Sequence, residues 1–149
     1  MKIGDTAPNF ILKNEDGKEF ELYKNLDEKV LLVFYPKDNT LVCSAQLAEY
    51  NKNLHEFINN RIRVIGINTG SVQSHSTFCR KLQINFPLLA DEQKQVSKLY
   101  DALNIFGGNK RLLVLIDSDK TVLWVNSSNR LTYTKSGEII EAVKTRKIT

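Results

Sequence analysis

An α/β fold, with a mixed central sheet and helices on both faces, is what this sequence predicts. Three features carry that expectation. Val30 to Phe34 and Leu112 to Ile116 are unbroken apolar runs, too short for helices and rich in strand formers, so both read as buried strands. Segments with apolar residues at helical spacing alternate with such runs through the middle of the chain. Toward the end, the tight polar turn Asp117 to Lys120 follows an apolar run, so Thr121 to Asn126 should return antiparallel and close the sheet with a hairpin.

The elements follow in order. Residues 1–8 read as an extended arm, because Pro8 disfavours helix just before it. Phe10 to Lys13 and Lys18 to Leu22 are strand-like, with Glu15-Asp16-Gly17 as the turn between them. Tyr23 to Lys29 is a polar connection into the buried strand. Pro36 ends that strand, since proline has no amide hydrogen for the ladder. Thr40 is then a good N-cap for a helix whose apolar residues are Leu47, Tyr50, Leu54, Phe57 and Ile58. Arg61 to Asn68 reads as a further buried strand, Thr69 to Ser71 as a turn, and Val72 to Leu82 as a helix. Phe86 to Ala90 is a short strand. Asp91 to Leu103 is a short helix capped by Asp91, and Gly107-Gly108-Asn109 a loop. Ser136 to Arg146 is the last helix, with Ile139, Ile140 and Val143 on one side. No repeat, low-complexity tract or linker interrupts residues 1–149, which read as one domain.

Composition narrows the function. The 149 residues are 42% hydrophobic and 26% charged, ordinary for a soluble globular protein. The net charge of +4 is spread without any long basic run, which points to a solvated surface rather than a nucleic-acid footprint. The first residues lack the apolar core of a signal peptide, and no apolar run reaches membrane-spanning length. Two cysteines in such a chain suggest a cytosolic protein with thiols reduced at rest. No C-x-x-C pair and no glycine-rich phosphate loop is present. His75 and Cys79 have metal-ligand spacing on one helix face. A third ligand is hard to supply, because Cys43 and His55 fall ~18 Å apart along their helix. His75 therefore reads as a capping or surface histidine, and no metal or other cofactor is expected.

The stretch F-Y-P-K-D-N-T-L-V-C-S-A-Q, from Phe34 to Gln46, holds the chemistry. It places Cys43 in the first turn of a helix and on its inward stripe, four residues before Leu47. Free N–H groups and the positive end of the helix dipole favour an anion there, which suits thiolate chemistry. A cysteine at a strand–helix junction is also a common inert packing residue. The spacing P-x-x-x-T-x-x-C, made by Pro36, Thr40 and Cys43, resembles the active-site signature of the peroxiredoxins. The wider string F-Y-P-K-D-N-T is similar to their bacterioferritin-comigratory branch, also called peroxiredoxin Q. G-D-T-A-P-N-F near the start and F-P-L-L-A-D-E at 86–92 look like further landmarks of that family.

The resemblance implies a thioredoxin-like fold with an N-terminal β-hairpin extension. It implies a peroxidase acting on hydrogen peroxide and organic hydroperoxides, with Cys43 as peroxidatic nucleophile. Thr40 would position thiolate and peroxide, and Pro36 would shield the sulfur from water. Arg111, directly before L-L-V-L-I-D, matches the family arginine that stabilises thiolate and peroxide, with Lys110 beside it as the competitor. Gln46, three after Cys43, matches a position that supports the arginine or the backbone in this branch. Many members of this branch carry a resolving cysteine five residues after the first, but here that position is Ala48. Cys79 is then the candidate resolver, as some members use that helix. Its other reading is a small apolar packing residue on the stripe of Val72 and Leu82. Disulfide formation would need the two Cα atoms within ~7 Å, and hence unwinding of the turn after Thr40. If Cys79 does not resolve, an external thiol does, in a one-cysteine cycle. The implied partners are a hydroperoxide and thioredoxin or a similar dithiol donor, and the implied state is a monomer or weak homodimer. The rival from another class is a thioredoxin-fold binding or redox-sensing protein without turnover.

Overall fold

The computed structural model describes residues 1–129 and 131–145. Seven strands, β1 (Ile11–Lys13), β2 (Glu19–Glu21), β3 (Lys29–Phe34), β4 (Ile62–Asn68), β5 (Leu88–Ala90), β6 (Arg111–Ile116) and β7 (Val122–Ser128), form one sheet in the order β2-β1-β5-β4-β3-β6-β7. β3 runs parallel to β4 and antiparallel to β6, and β4 is parallel to β5, so the sheet is mixed as expected. β1 pairs antiparallel with β2 and β5, adding the N-terminal hairpin to the sheet edge. Gly17 turns that hairpin at φ +76°, a conformation glycine adopts without steric cost.

Both faces are covered. Side chains alternate across a strand, so Leu31 and Val33, followed by Tyr35, face one core with Leu47, Tyr50, Phe57, Phe78 and Ile139. Val30, Leu32 and Phe34 face the other, with Ile65, Ile67, Val96 and Tyr100. The first core is roofed by α1 (Leu41–Lys52), α2 (Leu54–Asn59), α3 (Val72–Leu82) and α5 (Ser136–Thr145); the second meets α4 (Gln95–Leu99). The N-terminal arm is extended as expected and lies along the start of β7, with Gly4 N donating to the Val122 carbonyl at 2.8 Å and Ala7 N to that of Lys120 at 2.8 Å.

Several boundaries depart from the sequence reading. The helix expected to run unbroken from Thr40 past Ile58 is two helices. Asn53 is the C-cap of the first, its side-chain amide donating to the Glu49 carbonyl at 3.0 Å beside its own backbone N–H at 3.2 Å. The break turns Ile58 out to solvent while Phe57 stays buried. The helix expected over Asp91 to Leu103 shrinks to Gln95–Leu99, entered through Lys94 at φ +62°. Asp91 still caps it, but from further back, its carboxylate accepting from Ser97 N at 2.7 Å and Val96 N at 3.3 Å. The start of the Tyr23 to Lys29 connection, together with the leucine before it, forms a 3-10 turn over Leu22–Asn25. The end of the last helix at Arg146 lies outside the described residues.

Candidate active site

β3 ends at Phe34 and the chain leaves the sheet through Pro36, as the missing proline amide requires. The register sets the neighbour. Phe34 is opposite Leu112, so Arg111 stands one residue further along β6, beside the exit of β3 and the start of α1. A sheet and a helix N-terminus thereby bring Arg111 to Cys43, 68 residues apart in sequence.

Cys43 is buried in the first turn of α1, on the stripe with Gln46, Leu47 and Tyr50. Arg111 is 3% exposed, and its Nη1 donates to the Cys43 sulfur at 3.5 Å and to Gln46 Oε1. Its Nε donates to the Asn129 carbonyl at 3.4 Å. Gln46 in turn donates to the Tyr50 hydroxyl at 3.2 Å, which donates to the Thr134 carbonyl. The guanidinium is thus held by a relay running down α1, and the charge it presents to the sulfur is fixed in direction. Lys110 lies in the loop before β6, its N–H bonded to the Ala102 carbonyl at 2.8 Å, and Arg111 is the cation at the sulfur.

Thr40 occupies the N-cap position, with extended backbone and its carbonyl accepting from Ser44 N at 2.9 Å. Its hydroxyl does not cap. It donates instead to the Lys37 carbonyl at 2.9 Å, which corrects the expected side-chain cap. Pro36, Thr40, Cys43 and Arg111 line one pocket of about 280 Å³. A second cavity of about 340 Å³ adjoins it and shares Pro36 and Arg111. Leu41 at the first, and Ile105 and Phe106 at the second, are large apolar side chains standing in solvent.

Cys79 lies on α3, partly buried against the first core, with its thiol donating to the Ile84 carbonyl at 3.3 Å. Burial, with the charges of Glu15 and Asp16 on the β1–β2 hairpin, pushes that thiol up from 9.0 to about 11. Both cysteines are free thiols. Cys79 packs against the same core as Cys43 but is not among the residues that line the pocket of Pro36, Thr40, Cys43 and Arg111.

His75 corrects the sequence reading outright. It is neither a cap nor a surface residue but fully buried, with Nδ1 2.6 Å from Asp38 Oδ2 and Nε2 3.0 Å from the Leu89 carbonyl. Asp38, in the loop between Pro36 and Thr40, carries no signal of this in the sequence, because a lone aspartate in a polar turn reads as a solvated residue. For His75 a signal is present: it precedes Phe78, Cys79 and Leu82 by helical steps, which puts it on the apolar stripe of its helix. Among the described residues no three His, Cys, Asp or Glu side chains converge as a metal site, and no helix is long and apolar enough to cross a membrane.

Comparison with known proteins is consistent with this geometry. The AhpC/TSA family model matches residues 3–125. The peroxiredoxin bcp of Helicobacter pylori is 40% identical over 102 residues, covering 68% of this chain and 67% of its own length. Peroxiredoxin Bcp of Escherichia coli is 33% identical over 126 residues, covering 80% of this chain and 81% of its own. Among solved structures, the peroxidoxin BcpB of Mycobacterium tuberculosis superposes with a TM-score of 0.88 at 30% identity, covering 100% of this chain and 99% of that one. A peroxiredoxin Q mutant of Xylella fastidiosa gives 0.87 at 27% identity, with 99% and 98% covered.

Proposed function

The chain belongs to the AhpC/TSA family, in its bacterioferritin-comigratory or peroxiredoxin Q branch, and from that premise we propose that it is a thiol-dependent peroxidase with Cys43 as the reacting group. The observation that carries this is the Arg111 Nη1 to Cys43 Sγ distance of 3.5 Å, at a pocket shared with Pro36 and Thr40.

The Cys43 thiolate attacks one oxygen of a hydroperoxide. The S–O bond forms as the O–O bond breaks, leaving a sulfenic acid, and the departing oxygen takes a proton and leaves as water or an alcohol. Arg111, a fixed cation with several donors, stabilises negative charge on the sulfur and then on the departing oxygen. Thr40 and Pro36 shape the space in which the peroxide lies in line with the sulfur. The apolar side chains of Leu41, Ile105 and Phe106 around the openings suit organic hydroperoxides as well as hydrogen peroxide.

Cys79 then attacks the sulfenic sulfur; the S–S bond forms and the oxygen leaves as water. Thioredoxin or a similar dithiol reduces the disulfide by exchange. The protein acts in the cytoplasm as a monomer or weak homodimer, without a resident cofactor. A second reading is favoured by one observation, the Cys79 thiol held half-buried and pushed up to about 11. Roughly one in ten thousand such thiols is ionised at neutral pH, and in that reading an external thiol clears the sulfenic acid.

The test is peroxide consumption under a thioredoxin–reductase couple, with wild type, Cys43→Ser and Cys79→Ser side by side. Turnover abolished in Cys43→Ser alone supports the one-cysteine cycle, and turnover lost in both supports resolution by Cys79. Wild type without turnover under any thiol donor overturns the peroxidase reading.

A further inference from the structure

The loop that carries Pro36 and Thr40 leaves the sheet ladder at Tyr35 and passes Asn39 at φ +62° before α1 begins. Lys37, Asn39 and Thr40 are exposed, so the loop has little apolar burial to hold it. Two polar anchors tie it to the body. Asn68, at the end of β4, donates from one amide nitrogen to the carbonyls of Tyr35 and Pro36, each at 2.8 Å. Asp38, 6% exposed, accepts from the Tyr35 hydroxyl on one oxygen, and from the Ser74 hydroxyl and His75 on the other, all at 2.6 Å.

The protonation pattern follows from the partners. A carbonyl only accepts, so His75 Nε2, facing Leu89 O, carries a hydrogen. Asp38 takes a hydroxyl donor on each oxygen and is an acceptor throughout. The ring is thus held at both nitrogens, by the Asp38 carboxylate at Nδ1 and by the Leu89 carbonyl at Nε2. Burial alone would push the Asp38 carboxyl up, but the hydrogen bonds from His75, Ser74 and Tyr35 outweigh it and hold the group below its ordinary value. The packing is close: a Cβ on Gly70 would come within 2.9 Å of Asn68 Oδ1 and 3.3 Å of His75 Cε1.

We propose that Asp38 and His75 are positioning residues for Cys43, acting through the loop: the buried pair fixes Lys37 and hence the Thr40 hydroxyl bonded to its carbonyl, and so sets the pocket in which peroxide meets the sulfur. The inference rests on the peroxidase reading above. Asp38 is the residue after Lys37, whose carbonyl takes the Thr40 hydroxyl at 2.9 Å. An Asp38 free to swing releases that carbonyl, and Thr40 is left without the hydrogen bond that fixes its rotamer. The same pair joins the Cys43 loop to α3, one helical turn before Cys79. It therefore also resists the unwinding that a Cys43–Cys79 disulfide needs. Positioning for the first step and resistance to the second come from one buried contact.

The experiment compares two reactions of Cys43, in wild type, Asp38→Ala, His75→Ala and Asp38→Asn, each first shown to be folded by circular dichroism and thermal melting. One is single-turnover oxidation by hydrogen peroxide, read by quenched mass spectrometry; the other is alkylation by iodoacetamide, which needs an accessible sulfur but no pocket. We expect the alanine variants to lose between about tenfold and a hundredfold in the peroxide rate, as misplacement by about 1 Å costs, with the iodoacetamide rate unchanged or raised. Asp38→Asn should recover most of the loss, because its amide can donate to Nδ1 while Nε2 keeps its hydrogen for Leu89. It also keeps the test open if the alanine variants fail to fold. Peroxide rates unchanged in a folded Asp38→Ala, or both reactions falling in parallel, overturn the positioning role. A wild-type Cys43 that alkylates but never reacts with peroxide overturns the peroxidase reading instead.

Discussion

Replacing Arg111 by lysine keeps a positive charge and removes the fork. In the native site one nitrogen, Nη1, serves both the Cys43 sulfur at 3.5 Å and Gln46 Oε1, while Nε reaches Asn129 O at 3.4 Å. A lysine ammonium is a point charge on a flexible stem, and cannot hold two such directions at once from the same backbone position. What the substitution removes or loosens is a hydrogen bond made by a charged group, worth about 1.5–3 kcal/mol. At about 1.4 kcal/mol per tenfold, that is roughly a ten- to hundredfold fall in the rate at which peroxide oxidises Cys43. The assay is single-turnover oxidation in a Cys79→Ser background, so that resolution does not mask the first step. Thermal melting runs alongside, because Arg111 is buried and its loss takes the guanidinium donor from Gln46 Oε1. Oxidation of Arg111→Lys within twofold of wild type, with the melting temperature preserved, would refute the claim that the geometry of the guanidinium matters beyond its charge.

Three further predictions concern Cys79 and the core. The Cys79 thiol is raised in the folded state, so its neutral form adds stability fully present below its ordinary value of 9.0 and lost as pH rises toward about 11; chemical denaturation of Cys79→Ala should lack that alkaline loss, and an identical alkaline profile in both proteins would contradict it. If Cys79 resolves Cys43 only after α1 unwinds and its thiol leaves the Ile84 carbonyl, the rate of disulfide formation should level off near the ordinary value of 9.0; a tenfold rise per pH unit continuing toward about 11 would mean attack from the closed fold. Gly66→Ala puts a Cβ 2.7 Å from Leu88 Cδ2 and 3.5 Å from Tyr35 Cε1, both fully buried, so urea denaturation should show a loss of about 1–3 kcal/mol; an unchanged midpoint would show that the core there can yield.

What is legible in the sequence follows the range over which its signals act. The strand, proline, threonine and cysteine of residues 30–43 lie within fourteen consecutive positions, and local rules place them correctly. Arg111 stands out only through its match to the family arginine; the apolar run after it fixes it at a strand end but does not by itself separate it from Lys110. The Asp38–His75 pair is not legible: 37 residues separate its members, and although helical spacing puts His75 on an apolar stripe, a lone aspartate in a polar turn resembles a solvated group and gives His75 no partner in the sequence. The split at Asn53 is hidden because the apolar spacing continues through it; what marks it is the Asn53 side-chain amide sharing the Glu49 carbonyl with its own backbone N–H. The Thr40 hydroxyl, expected on the helix, bonds the Lys37 carbonyl instead, across a loop that passes Asn39 at φ +62°.

The central claim is that Cys43 is the atom peroxide meets. Intact mass and non-reducing peptide mapping of the wild-type protein after one equivalent of hydrogen peroxide test it most directly. The account predicts that the Cys43 peptide carries the change within seconds, either an added oxygen or a disulfide to the Cys79 peptide with the loss of two hydrogens. A protein that emerges with the Cys43 thiol unmodified, while added iodoacetamide still alkylates it, would contradict the account.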